Sequence, residues 1–153
     1  MNDPDTTQTH RDALDALLCF DVYAAHQAFG RLYKPFLTPI GLTYPQYLVI
    51  LLLDAARLMS VGDVGTAIGL ASNTLTPLLK RMEQAGLIQR LRDTKDERRV
   101  LLRLTDKGVE AQKAAREVPR CMARAGKFDP AKIRDLQEQL RDLTRQLDAA
   151  QRP

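Results

Sequence analysis

Apolar residues return at helical intervals from the first third of the chain. Leu14, Leu18, Val22, Ala25, Phe29 and Leu32 predict a helix over 12–33, with Pro35 and Pro39 stopping it. In "LTYPQY" Thr43 stands three residues before Gln46, a capping box, and Leu42 and Tyr47 are placed to staple the helix start. A strongly apolar helix through "YLVILLL" to about residue 57 is expected next, as central core. Ser60 with Asp63 marks the start of a short helix ending near Ile68. After a tight "GLAS" turn, Ser72 or Asn73 caps a longer helix, with Pro77 near its first turn and Gly86 closing it. Two such helices around a tight turn match a helix-turn-helix.

The pattern then changes period. "LIQRLR" at 87–92 and "VLLRL" at 100–104 read as two strands around the polar turn "DTKDERR". A hairpin directly after a helix-turn-helix is a wing. A helix from Thr105 to about Arg116 or beyond follows, bent at Pro119. Asp129 and Pro130 open the last helix, with Phe128 placed to staple onto Ile133. In it Ile133, Leu136, Leu140, Leu143 and Leu147 recur in alternating steps of three and four. That heptad seam wants a partner helix: either the chain's own first helix or, as favoured here, the terminal helices of a second copy. The fold class is therefore mainly α with a small β-hairpin wing.

Charge sharpens this picture. The chain's formal net charge is +4. Between Lys80 and Arg103 lie eight bases and four acids, so that stretch alone carries +4. Position and charge together make the wing a candidate polyanion contact. Composition, at 44% hydrophobic and 27% charged, is that of a soluble globular domain. The longest apolar run is too short to span a membrane, and the polar N-terminus does not resemble a signal peptide. A cytoplasmic protein is expected, in which the two cysteines form no permanent staple. The scattered His and Cys residues have no metal-ligand spacing, and no cofactor is implied.

"LTYPQYLVILLL", "TLTPLLKRMEQAGLIQRLRDTKDERRVLLRLT" and the helix carrying "LCF" resemble the MarR family of dimeric winged-helix regulators, over roughly residues 14–147. Asp96 and Arg98 supply the family's D-x-R wing element. More narrowly, the chain is similar to the family's organic-hydroperoxide-sensing, OhrR-type repressors. In these a first-helix cysteine is contacted by two tyrosines, whose positions here are Tyr33 and Tyr44. Tyr23, one turn after Cys19, matches a further tyrosine near the thiol. The resemblance divides the chain into a DNA-binding part at 43–105 and dimerisation helices at 12–37 and 106–150. It also implies a pseudo-palindromic double-stranded operator read by a homodimer, with no enzymatic activity.

For DNA the second helix of the helix-turn-helix nominates Ser72, Asn73, Thr74, Thr76 and Pro77, with Lys80 and Arg81 for phosphates or guanine. Ala71 departs from the acidic residue frequent in relatives. At the wing Arg98 is the candidate for the minor groove, with Lys95 and Arg99 on the backbone. Arg98 has a structural alternative, an ion pair with Asp96.

Composition alone favours Cys19 as an inert small hydrophobe; the tyrosines reverse that in favour of a peroxide-reactive thiol. Cys121 falls in the region where two-cysteine relatives carry a resolving thiol, shifted by about one turn. A one-cysteine sensor finishing with an external thiol remains the alternative. His26 carries no assigned role. Three rival readings stand behind the redox repressor: a regulator gated by a small aromatic ligand, a thiol peroxidase, and a bare dimerisation module.

Overall fold

The computed structural model describes residues 14–126 and 128–151. Helix α1 spans Leu18–Leu37, and a 3-10 turn follows at Thr38–Ile40. Helix α2 is Tyr44–Leu52, strand β1 Met59–Ser60, α3 Val61–Ile68 and α4 Ser72–Gln84. Strands β2 (Ile88–Arg92) and β3 (Val100–Leu104) make the hairpin, followed by α5 (Asp106–Gly126) and α6 (Pro130–Ala150). The chain is mainly helical with a small antiparallel sheet, as its pattern predicts. It divides into two compact units, residues 1–118 and 119–153. The first holds the helix-turn-helix, the wing and α1. The second holds the end of α5 and all of α6.

The core of the first unit is built from the apolar faces that the pattern marks out. Val49, Ile50 and Leu53 from the α2 region, Leu75, Leu79 and Met82 from α4, and Ile88 and Leu102 from the sheet are all buried. The capping box at α2 forms, with the Thr43 backbone N–H donating to Gln46 Oε1 over 2.8 Å. Ser60 Oγ accepts from the Asp63 backbone N–H at 3.1 Å and so starts α3. The turn to α4 needs Gly69, whose φ of 67° lies in the left-handed region that residues with a Cβ avoid. A second glycine is fixed by space: a Cβ on Gly108 would collide with the backbone carbonyl of Leu87. Bare backbone there lets the start of α5 sit against the root of the wing, where Thr105 Oγ1 donates to the Gly86 carbonyl.

Several boundaries depart from expectation. Asp12, the expected start of the first helix, lies outside the described residues. The continuous helix begins at Leu18, after a break at Leu17. Pro35 does not stop α1, which runs on to Leu37. Pro35 forfeits the bond its N–H would make to the Arg31 carbonyl, and the helix closes two residues later, where the Thr38 backbone N–H and Oγ1 both donate to the Lys34 carbonyl. The effective stop is Gly41, at φ 70°. Helix α2 ends at Leu52 rather than near 57, because Leu53 turns extended. Neither Ser72 nor Asn73 caps α4. Ala71 holds that position without a side-chain bond, and Pro77 is sixth in the helix rather than in its first turn. Helix α5 agrees with expectation in running beyond Arg116, through Pro119 to Gly126.

Pattern alone did not reveal β1, two residues long, which pairs Met59 with Leu102 and Ser60 with Leu101. It completes a three-stranded sheet in the order β1-β3-β2. Among the described residues no single helix is long and apolar enough to cross a membrane.

Candidate nucleic-acid interface and thiol site

Helix α4 divides cleanly into two faces. Leu75, Leu78, Leu79 and Met82 are buried, while Ser72, Asn73, Thr74, Thr76, Pro77, Lys80 and Arg81 are all exposed. A helix anchored by four apolar residues thus presents hydroxyls and an amide from its N-terminal half. Further along, two cations follow on the same solvent side. Pro77, inside the helix, lacks the N–H that would bond the Asn73 carbonyl.

The wing tip is organised by one carboxylate. Asp96 Oδ1 accepts from the Arg98 backbone N–H at 3.1 Å and from Arg98 Nε at 3.2 Å. The Arg98 side-chain and backbone hydrogen bonds, in that order, hold the Asp96 carboxyl below the usual carboxylate range. The Arg98 side chain remains 91% exposed. The ion pair foreseen as an alternative to DNA contact therefore forms, yet it leaves the guanidinium outside the protein. Arg99 is held differently, between Asp93 and Asp63 at 3.9 Å each, so that it bridges the wing to α3. Lys95 is exposed, and its backbone N–H donates to Asp93 Oδ1.

At the other end of the first unit, Tyr33 from α1 meets Tyr44 from α2 edge-on, with ring centroids 5.0 Å apart. Tyr47 joins them at 5.5 Å from Tyr33 and 6.0 Å from Tyr44, and His26 sits edge-on to Tyr44 at 6.4 Å. Burial raises the Tyr33 phenol above its ordinary value. Burial, and then the neighbouring Tyr33 and Tyr44 phenols, push Tyr47 up to about 12. Both phenols therefore keep their protons at neutral pH and can serve as hydrogen-bond donors. Sequence reasoning missed Tyr47 as a member of this group and read it as packing. The signal was available, because Tyr44 and Tyr47 are three apart and share a helix face.

Cys19 and Tyr23 stand apart from the cluster. Both are exposed, and the Tyr23 hydroxyl accepts from Gln27 Nε2 at 3.0 Å. Fourteen residues of continuous α1 separate Cys19 from Tyr33, about 21 Å along the helix axis. One chain therefore cannot bring Tyr33 to its own thiol. Leu18, Val22 and Phe29, on the same helix, are exposed as well. Cys121, in the second unit, is also a free, exposed thiol.

A family model described as transcriptional regulator SarA/Rot matches residues 31–114, more than half of the chain. The organic hydroperoxide resistance transcriptional regulator of Bacillus subtilis (strain 168) is 45% identical over 106 residues, covering 69% of this chain and 72% of that protein. The chain belongs to the MarR/SarA-type winged-helix transcriptional regulators. Within that family, the HTH-type transcriptional regulator TtmR of Methylorubrum extorquens (strain PA1) is 53% identical over 105 residues. That alignment takes in 67% of this chain and 54% of TtmR, so the chain spans about half the length of this relative. The crystal structure of overoxidized AbfR bound to DNA is similar at 33% identity and a TM-score of 0.71. It covers 92% of this chain and 98% of AbfR. The structure of disulfide-formed AbfR superposes at a TM-score of 0.60 with the same coverage.

Proposed function

We propose that this regulator is a DNA-binding repressor that releases its operator when Cys19 is oxidised by an organic hydroperoxide. The observation that carries this reading is the Tyr33–Tyr44–Tyr47 cluster. It collects phenols at one end of a helix whose other end bears an exposed thiol among uncovered apolar residues. A homodimer reconciles the two ends: a second copy laid along α1 offers its tyrosines to Cys19 and covers Leu18 and Val22. The uncovered Leu136, Leu140 and Leu147 of α6 supply the seam that holds the copies together. The Bacillus relative is an organic hydroperoxide resistance regulator and AbfR has overoxidized and disulfide-formed states, and both support the same reading.

The chemistry balances simply. The Cys19 thiolate attacks the outer peroxide oxygen, the O–O bond breaks, and an alcohol leaves after taking a proton; sulfur is oxidised to sulfenic acid and the peroxide reduced. Condensation with Cys121, or with a small external thiol, then gives a disulfide and water. Phenols that donate to a thiolate lose their acceptor at that moment, and their movement biases the helices that lead to the DNA-binding units.

DNA is met by Ser72, Asn73, Thr74, Thr76 and Pro77 in the major groove, with Lys80 and Arg81 on phosphate or guanine. Arg98 enters the minor groove while Lys95 touches the backbone. Arg99 serves mainly by fixing the wing through Asp63 and Asp93. Two units in a cytoplasmic dimer fit a pseudo-palindromic site.

The test is chemical trapping. After stoichiometric cumene hydroperoxide, dimedone is expected to label Cys19, and a non-reducing gel is expected to show a cross-linked dimer that Cys121→Ser abolishes. An unlabelled, still reduced Cys19 contradicts the proposal. A labelled Cys19 without cross-linking assigns the one-cysteine route.

A further inference from the structure

Between the wing and the helix-turn-helix lies an open cleft of about 460 Å³. Its lining includes Ser60 and Gly62 at the start of α3, Thr76 on the exposed face of α4, and Arg90, Arg98 and Arg99 from the wing. Three arginines and no carboxylate line it. The acids that hold these arginines, Glu83, Asp96, Asp63 and Asp93, stand outside the lining.

Arg90 is the informative member. It is the middle residue of β2, in register with Leu102 of β3. Its Nη1 reaches Glu83 only at 4.0 Å, and its Nε is buried without a hydrogen-bond partner. A guanidinium N–H deprived of both water and acceptor awaits an anion. Thr76 and Ser60 add hydroxyl groups around the same space.

We propose that this cleft seats one backbone phosphodiester of bound DNA, with Arg90 as a phosphate-binding residue between the groove-reading helix and the wing. The proposal rests on the DNA-binding reading above and extends it to a residue that the sequence did not nominate. A phosphate held here fixes the wing's register on the duplex and carries no base information. Its loss therefore weakens every duplex alike.

The experiment is fluorescence anisotropy with the full-length reduced protein across a salt series. Two duplexes are compared, one from the gene's own upstream region and one of scrambled sequence. Arg90→Gln is expected to lower affinity roughly tenfold near 0.1 M salt, by the same factor on both duplexes. It is also expected to flatten the slope of log affinity against log salt by about one. Arg90→Lys, which keeps the charge, is expected to keep the slope and serves as the control for folding. A slope unchanged in Arg90→Gln, or a loss confined to the upstream duplex, overturns the proposal. A wild-type protein that binds neither duplex overturns the DNA-binding reading itself, a distinguishable result. A last arm substitutes inorganic phosphate for chloride at constant ionic strength. If phosphate raises the thermal midpoint of wild type but not of Arg90→Gln, while both proteins share one DNA slope, the cleft is a free-phosphate site and the proposal fails.

Discussion

Tyr47 shows how one side chain can matter through the state it keeps. Its phenol, raised from the ordinary value near 10 to about 12 by burial and by two neighbouring phenols, stays protonated in the folded chain. The unfolded chain gives up that proton earlier as pH rises. Stability is therefore fully present below pH 10 and is lost as pH climbs through about 12. Tyr47→Phe is expected to flatten that alkaline loss and to remove the highest-pH phenolate transition, as read from thermal midpoints and ultraviolet absorbance against pH.

The same residue marks a limit of reading from sequence. Tyr33 and Tyr44 were nominated by their positions in a resemblance, and the fold brings them into ring contact. Tyr47 was taken for packing because burial and participation in a polar cluster look alike in one dimension. Arg90 was passed over for a related reason. A basic residue in a strand reads as a solvated position until the fold shows its Nε buried without an acceptor.

At the scale of elements, the legible features were those whose cause is local. Capping at Thr43 and Ser60, the turn at Gly69 and the two faces of α4 each depend on residues within a turn or two of one another. The ends of α1 and α2 and the two-residue strand β1 depend on what packs against them, and there local signals misled. Gln112 illustrates such a tertiary cause. From the buried side of α5 its Nε2 donates to the Ile50 and Leu53 carbonyls, so it caps the end of α2 from 59 to 62 residues away. Gln112→Leu leaves those buried carbonyls unsatisfied. A loss of about 1–3 kcal/mol is expected in denaturant unfolding. An unchanged midpoint would mean that water reaches those carbonyls.

For the whole molecule, the exposed apolar surface sets the question. Leu14, Leu17, Leu18, Val22 and Phe29 near the start, and Leu136, Leu140 and Leu147 near the end, remain exposed. Apolar surface arranged in helical stripes is what a dimer interface presents before its partner arrives. Sedimentation at micromolar concentration is expected to give a dimer for the wild type and a monomer for a Leu136→Lys, Leu140→Lys double variant. The variant is also expected to lose most of its operator affinity, because two half-sites are no longer held together. A stable wild-type monomer would remove the route by which tyrosines of one copy reach the thiol of the other.

On the proposed mechanism, oxidation of one thiol on α1 loosens the grip of α4 and the wing on DNA. Anisotropy of a labelled duplex from the gene's upstream region tests it directly. Cumene hydroperoxide is titrated into wild type and into Cys19→Ser, each prebound to the duplex. Release of the wild type, with Cys19→Ser staying bound throughout, is the expected result. If both proteins stay bound, or both leave together, Cys19 is not the switch and the proposed mechanism is contradicted.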